Sequence, residues 1–315
     1  MKKIISLLVL LTLVATMFVA CNNTTSTDNT PATTEKEYSL AIGVAVAPNL
    51  TQSKVSETVA AIVLDKDSKI VLCRFDCIEY AVKYENNELV TTAPISKAAQ
   101  GDAYDAYKPM PAGRWYAQAD ALGASLVGKA QSEVASVAVN GIVSDADLKA
   151  KCSINVSDML KAVDNAFKSE YKTTFKTTAE TMTAGIAALG TVKDTAKETV
   201  KNASFAVDFA ASVLVDGKVV ASILDSAEVE LKTITDDGAA EAAFAGTKRE
   251  QGTAYDAYKP MAAGTWYVQA DAYAKASIGK TADDIATVAT ENVAGCTIYA
   301  GGYKQAIEAA VKAAK

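Results

Sequence analysis

The sequence predicts an α+β fold made twice. Three observations predict it: a long phrase that returns almost unchanged, turn residues between β-prone runs, and apolar residues at helical spacing after each copy of the phrase. QGDAYDAYKPMPAGRWYAQADA, residues 100 to 121, returns as QGTAYDAYKPMAAGTWYVQADA, residues 251 to 272. Aligning 100–129 with 251–280 gives 20 identities in 30 positions, the mark of an internal duplication. The likeness runs outward. DKDSKIVLCRFD (65–76) matches LVDGKVVASILD (214–225), with Lys69 over Lys218 and Asp76 over Asp225. CSINVSDMLKAVDNAFK (152–168) matches CTIYAGGYKQAIEAAVK (296–312), and YSLAIGVAV matches TMTAGIAAL more weakly. A unit of this length is too long for a solenoid repeat. It reads as a tandem pair of domains, 39–173 and 181–315, joined by a linker at 174–180.

The elements follow in order. Apolar runs flank Asp65–Ser68 in the first copy and Asp216–Gly217 in the second, the signal of a hairpin. A second hairpin is expected at Asn86–Asn87, with its counterpart at Asp237–Gly238. Pro109 bars helix continuation, so Asp102–Met110 is expected to be a loop or short turn. Beyond it Trp115, Ala119, Leu122 and Leu126 fall on one helical face, as do Trp266, Ala270, Tyr273 and Ser277. Gly128-Lys129 and Gly279-Lys280 end these helices. Cys152 and Cys296 each open a stretch that reads as a short β-rich segment. Each unit then closes with a helix, through Met159, Val163, Ala166 and Phe167, or through Tyr303, Ile307, Ala310 and Val311. These faces suit packing helices against an antiparallel sheet. Two stretches are harder to place. SEYKTTFKTTAETMTAG (169–185) reads as the first terminal helix prolonged into a linker, and GTVKDTAKETVKNA (190–203) as a polar helix.

The N-terminus supplies the location. Lys2 and Lys3 precede an apolar run from Ile4 to Ala20, followed by Cys21. That is the order of an export signal, 1–20, and the run is short for a transmembrane helix. It resembles a bacterial lipoprotein signal, which implies that Cys21 becomes the lipidated first residue. The polar, Thr- and Asn-rich segment 21–38 reads as a disordered tether. The expected location is extracytoplasmic, lipid-anchored to the outer face of the cell membrane.

Composition excludes several function classes. Net charge is -6, and -8 once Lys2 and Lys3 are removed, with no basic patch to suit nucleic acid. With no histidine there is no imidazole base, no His-ligated metal and no Ser-His-Asp triad. No carboxylate pair stands at readable spacing, so no acid–base set can be nominated and the protein is expected not to be an enzyme. GASLVGKA (123–130) and AKASIGKT (274–281) each lack part of a phosphate loop, and DKDSK (65–69) is half a calcium loop at most. Besides Cys21 there are four cysteines, Cys73, Cys77, Cys152 and Cys296. Buried free thiols, a Cys73–Cys77 bond and a metal or redox role all stay open. On a strand, Cys73 and Cys77 would lie more than ~10 Å apart unless a bulge intervenes.

The doubled phrase is the candidate site. Tyr104, Asp105 and Tyr107, followed by Trp115, Tyr116 and Gln118, place aromatic rings and polar handles near one loop–helix junction. Tyr255, Asp256, Tyr258, Trp266, Tyr267 and Gln269 repeat the set. Such rings suit stacking on a flat or apolar small molecule, oriented by the aspartate and by the Tyr116 and Gln118 side chains. The competing reading is structural: the tryptophans cap the sheet and the tyrosines pin the loop.

One resemblance joins these pieces. The order of a hairpin, then Lys97, Gly101 and Tyr104, then Trp115, Tyr116, Gln118 and Ala119, then Gly128 and Lys129, resembles tandem-repeat surface lipoproteins of Gram-positive anaerobes. Lys248, Gly252, Tyr255, Trp266, Tyr267, Gln269, Ala270, Gly279 and Lys280 repeat it. The repeats also look distantly like the FMN-binding domains of surface electron-transfer lipoproteins. The Ser/Thr-Gly-Ala-Thr motif that holds flavin covalently there is missing in this sequence, which leaves non-covalent FMN as the cofactor to consider. Three readings follow: a surface protein that binds a small ligand, a flavin electron-transfer protein, and a structural or adhesive surface protein.

Overall fold

The computed structural model describes residues 34–92, 94–107, 109–258, 261–288, 293–298 and 301–315. The signal segment 1–20, Cys21 and most of the expected tether lie outside the described residues. The chain opens as an antiparallel meander of β1 (Lys36–Asn49), β2 (Lys54–Leu64), β3 (Ile70–Glu85) and β4 (Glu88–Thr91). Asp65 closes the β2–β3 turn by accepting from the Asp67 and Lys69 amides at 2.9 Å each. Asn86 and Asn87 turn β3 into β4 with φ of 50° and 64°, the two left-handed residues that a tight hairpin requires.

Helices follow: α1 (Lys97–Gln100), α2 (Asp102–Tyr107), α3 (Trp115–Leu126) and α4 (Gln131–Val134). A two-strand ribbon, β5 (Ala138–Val139) with β6 (Ile142–Val143), leads to α5 (Ala146–Lys149) and α6 (Ser157–Lys168). The chain then returns as β7 (Lys172–Thr177), which pairs with β1. The second half is β8 (Thr183–Asp194), β9 (Ala203–Val215), β10 (Lys218–Thr235) and β11 (Gly238–Phe244). After them come α7 (Lys248–Gln251), α8 (Thr253–Tyr258), α9 (Trp266–Lys275), α10 (Ala282–Ala286) and α11 (Gly301–Lys312).

The fold is α+β, with a five-stranded antiparallel sheet ordered β4-β3-β2-β1-β7 and a four-stranded one ordered β11-β10-β9-β8. Glu35–Lys315 forms one compact unit. The two sheets stack face to face. Val55, Val59, Ala61 and Val63 of β2 share one core with Phe205, Val207, Phe209 and Ala211 of β9. The Tyr80 and Phe205 rings stack across the gap at 4.7 Å. The alternate residues point outward under helices: Ala60 and Ile62 beneath α3 and α6, Ala210 and Leu214 beneath α9 and α11. Strands buried on both faces explain apolar runs as continuous as AASVLV. At Gly43 an added Cβ would run into the Ala162 and Ala166 backbone of α6, and at Gly185 into Ala310 of α11. Glycine lets the closing helix of each half press directly on its sheet.

Several sequence expectations give way. Asp102–Tyr107 is helical, because Pro109 stops a helix only from its own position onward. Lys172–Thr177 is strand β7 and not a prolonged helix; its Thr-rich sequence suits an edge position against β1. Residues 190–203 form the end of β8, a reverse turn with a Lys197–Val200 bridge, and the start of β9, so no polar helix is present there. Cys152 and Cys296 begin irregular segments and not strands. The β10–β11 turn falls at Asp236–Asp237, one residue before the expected Asp237–Gly238.

Candidate functional site

The doubled phrase builds the same bracket in both halves. Asp105 accepts from the Trp115 amide at 2.8 Å, and Asp256 from the Trp266 amide at 2.8 Å. Each carboxylate therefore satisfies the first free N–H of the following helix. Gln118 is fully buried, donates to the Gly113 carbonyl, and accepts from the Ser153 and Ile154 amides at 2.7 and 3.2 Å. Gln269 repeats this on Gly264, Thr297 and Ile298. These side chains tie the phrase to the segment after Cys152 or Cys296, and their hydrogen-bonding capacity is largely spent on the protein itself.

The aromatic rings are gathered, and each set already holds a cation. Tyr104 and Trp115 are 6% and 5% exposed, and the Lys97 ammonium lies 5.2 and 5.8 Å from their ring centres. It also pairs with Glu79 at 2.9 Å. In the second half Lys248 sits 5.3 Å from the Tyr255 and Trp266 rings and donates to Tyr303 Oη at 3.1 Å. Cation–π attraction of this kind strengthens when water is excluded. Lys97 and Lys248 stand in the sequence motif, but their part in the box needs the turn between α1 and α2, which the sequence did not show. The side chains of Tyr107 and Tyr258 lie outside the described residues.

Two buried carboxylates hold the box lysines' helices in place. Asp76 accepts from the Cys77 and Ala98 amides at 2.8 and 3.1 Å, and across the sheet gap from Ala188 at 3.2 Å. Asp225 accepts from Ser226 and Arg249 at 2.8 and 3.2 Å. Burial pushes each up to about 6, against the pull of those hydrogen bonds. Cys73, Cys77, Cys152 and Cys296 are buried free thiols, which rules out the Cys73–Cys77 bond in this structure. Among the described residues, no cluster of Cys, Asp and Glu could hold a metal ion.

Tyr116 and Tyr267 differ from the other rings, because each stands beside a residue of the opposite half, Lys315 or Tyr171, next to a groove. In the second half that groove is open. A cavity of about 430 Å³ lies between β7 and α9 over β10, lined by Tyr171, Thr173, Ser222, Ile223, Arg249 and Asp271 among others. Tyr171 stands 5.6 Å from Tyr267, ring to ring. The buried Arg249 guanidinium lies 5.8 Å from the Tyr171 ring and bonds Asp271 Oδ1 at 2.6 Å and the Leu224 carbonyl at 2.5 Å.

The matching groove of the first half is filled. Arg74, the counterpart of Ile223, donates to the Ala184 carbonyl at 3.1 Å and to the Lys315 backbone oxygen, with Asp120 at 3.9 Å. Lys315, the counterpart of Tyr171, places its ammonium on Asp120 at 2.5 Å and 5.6 Å from the Tyr116 ring centre. The residue three places beyond each closing helix thus reaches into the other half. Arg74 with Asp120, and Tyr171 with Arg249 and Asp271, escaped the sequence reading because each group is brought together from segments far apart in the chain.

No protein-family model matches the chain, and no curated protein and no solved structure matches it.

Proposed function

We propose that this chain is an extracytoplasmic, lipid-anchored protein that binds a small molecule without transforming it, at the Tyr171–Tyr267 cleft. The carrying observation is the cleft itself. Its volume of about 430 Å³ falls within the range of small-molecule sites. It combines the Tyr171 ring, which Tyr267 backs from 5.6 Å away, an apolar floor and fixed polar groups from β7, α7 and α9. The tandem duplication belongs to the same reading, supported by the matched Asp–amide and Gln–backbone contacts of the two phrases. In this view the phrase is scaffold in both halves, and the ligand is read by the groove that one half leaves open.

The anchoring rests on the Lys2-Lys3, apolar, Ala20-Cys21 order and the polar segment after it. Two acyl chains on one residue suffice for stable attachment where one is marginal. Cys21→Ser is expected to release the protein to the medium; retention equal to wild type would end this part of the proposal. For the cleft, native mass spectrometry of protein from its host should show a co-purifying small molecule. Tyr171→Ala should weaken its binding about two- to tenfold, the value of one stacking contact. Unchanged affinity in that variant would move the site elsewhere.

A second reading is supported by one observation. Both aromatic boxes are closed over the chain's own lysines, as a structural or adhesive surface protein would have them. Failure of any ligand to perturb Tyr171 or Tyr267 would favour it. A flavin spectrum in the purified protein would instead favour electron transfer.

A further inference from the structure

We infer that the open cleft takes a guanidinium or alkylammonium group carried on an apolar stem, an inference that rests on the binding reading above. The first half shows what fills this space. There Arg74 rises from β3 beside α3, and its guanidinium finds the Ala184 carbonyl, the Lys315 backbone oxygen and the Asp120 carboxylate. A guanidinium is a planar fork of donors that needs several acceptors at once. In the second half Ile223 holds the position of Arg74 and ends short, so the space stays open.

The carboxylate acceptor is kept. Asp271 stands where Asp120 stands, lines the cleft and is 57% exposed at its side chain. Asp120 serves two cations, one on each oxygen. Asp271 serves Arg249 through Oδ1, and its Oδ2 has no partner among the described residues. Tyr171 adds a ring to the lining, with Tyr267 beside it. Val220, Ile223, Ala274 and Ile278 supply an apolar floor for the stem.

The cleft also carries positive charge, and most of it is already committed. Arg249 is fixed on Asp271 and Leu224. Lys172 donates to the Phe167 and Ser169 carbonyls. Lys275 remains, and Glu170 lines the same cleft. The chain as a whole is negative, at -6, which favours the approach of a cation.

The test uses the full chain in detergent, at low salt, with binding read by calorimetry and by the ring signals of Tyr171 and Tyr267. The probes are agmatine, the blocked tripeptide acetyl-Ala-Arg-Ala-amide, glutamate and indole. Agmatine or the tripeptide should bind, the first pointing to a free small molecule and the second, if tighter, to an arginine side chain of a partner protein. Asp271→Asn should weaken either by about tenfold or more, as loss of a charge-assisted contact does. Ile223→Arg, which copies the first half, should abolish binding while far-ultraviolet circular dichroism and the melting transition stay those of a folded protein. Arg74→Ile should open a second site. Glutamate binding more tightly than agmatine would overturn the inference, and so would agmatine binding that survives Ile223→Arg. If indole alone shifts Tyr171 and Tyr267, the cleft binds ligands but not cations. If no probe shifts them, the binding reading falls as well.

Discussion

The two halves set the same tyrosine and the same aspartate beside a groove, and they fill that groove differently. In the first, Arg74 and Lys315 occupy it and Asp120 holds both. In the second, Ile223 and Tyr171 leave a cavity, and Arg249 approaches Asp271 from the α7 side. The parts that agree, the Asp cap, the buried glutamine and the lysine in its aromatic box, all spend their hydrogen bonds inside the protein. Around the groove the parts that differ are Arg74 against Ile223 and Lys315 against Tyr171. There, likeness between the copies marks scaffold, and the difference marks the proposed site.

The sharpest way to break the comparison lies between the sheets. Glu57 is fully buried on β2 and, among the described residues, bonded only to Tyr80, at 3.0 Å, whereas Val207 fills the matching place on β9. Burial pushes the Glu57 carboxyl up to about 8. A carboxyl raised in this way keeps its proton in the folded chain after the unfolded chain has released it. Its contribution is thus full below about 4.5 and is lost as pH rises to about 8. The loss runs at roughly 1.4 kcal/mol per pH unit. Asp76 and Asp225 act with the same sign over a lower window, from 3.8 up to about 6. Denaturant unfolding between pH 4 and 9 should show stability falling with pH. Glu57→Val, which copies the second half, should flatten the fall above about pH 6 and stabilise the protein at pH 8. An unchanged pH profile in the variant would place the charge elsewhere.

Smaller effects sharpen the same comparison. Gln118→Ala and Gln269→Ala each strip the acceptor from two backbone amides, at a cost of about 1–3 kcal/mol apiece. Equal losses in chemical denaturation would show that the two brackets carry equal weight. Arg74→Ile should cost less, about 1–2 kcal/mol, because its partners can be reached by water once the groove opens. Smallest of all, Cys77→Ser copies Ser226 of the second half, keeps the Ser56 and Thr58 hydroxyls within reach, and should change stability by no more than about 1 kcal/mol. In the wild type the four buried thiols should stay unreactive to a thiol reagent until the chain unfolds. Fast labelling of the native protein would contradict their burial.

Much of the fold was legible because its signals are local. The Asn86–Asn87 and Asp216–Gly217 turns, the faces of α3 and α9 and the closing helices depend on residues a few positions apart. The stacking of the sheets was not legible. Apolar runs show that a strand is buried on both faces without saying what lies beyond either. β7 was missed for a related reason, since its Thr-rich sequence acquires meaning only beside β1. At the candidate site the sequence placed Tyr104 near Trp115 and Tyr255 near Trp266, and missed Tyr303 beside Trp266. It could not show that Lys97 and Lys248 already lie over these rings, nor that Tyr267 would meet Tyr171 from the other half.

The place where the polar N-terminal segment joins the body has a mechanical meaning. That segment leads into β1, which is an interior strand, paired with β2 on one side and β7 on the other. If Cys21 is anchored as proposed, a pull through that segment would load β1 from its N-terminal end, along the strand, while its antiparallel hydrogen bonds lie across it. The load would fall on many of them together and not on one at a time, so drag on the body would be borne in shear by the middle of a five-stranded sheet.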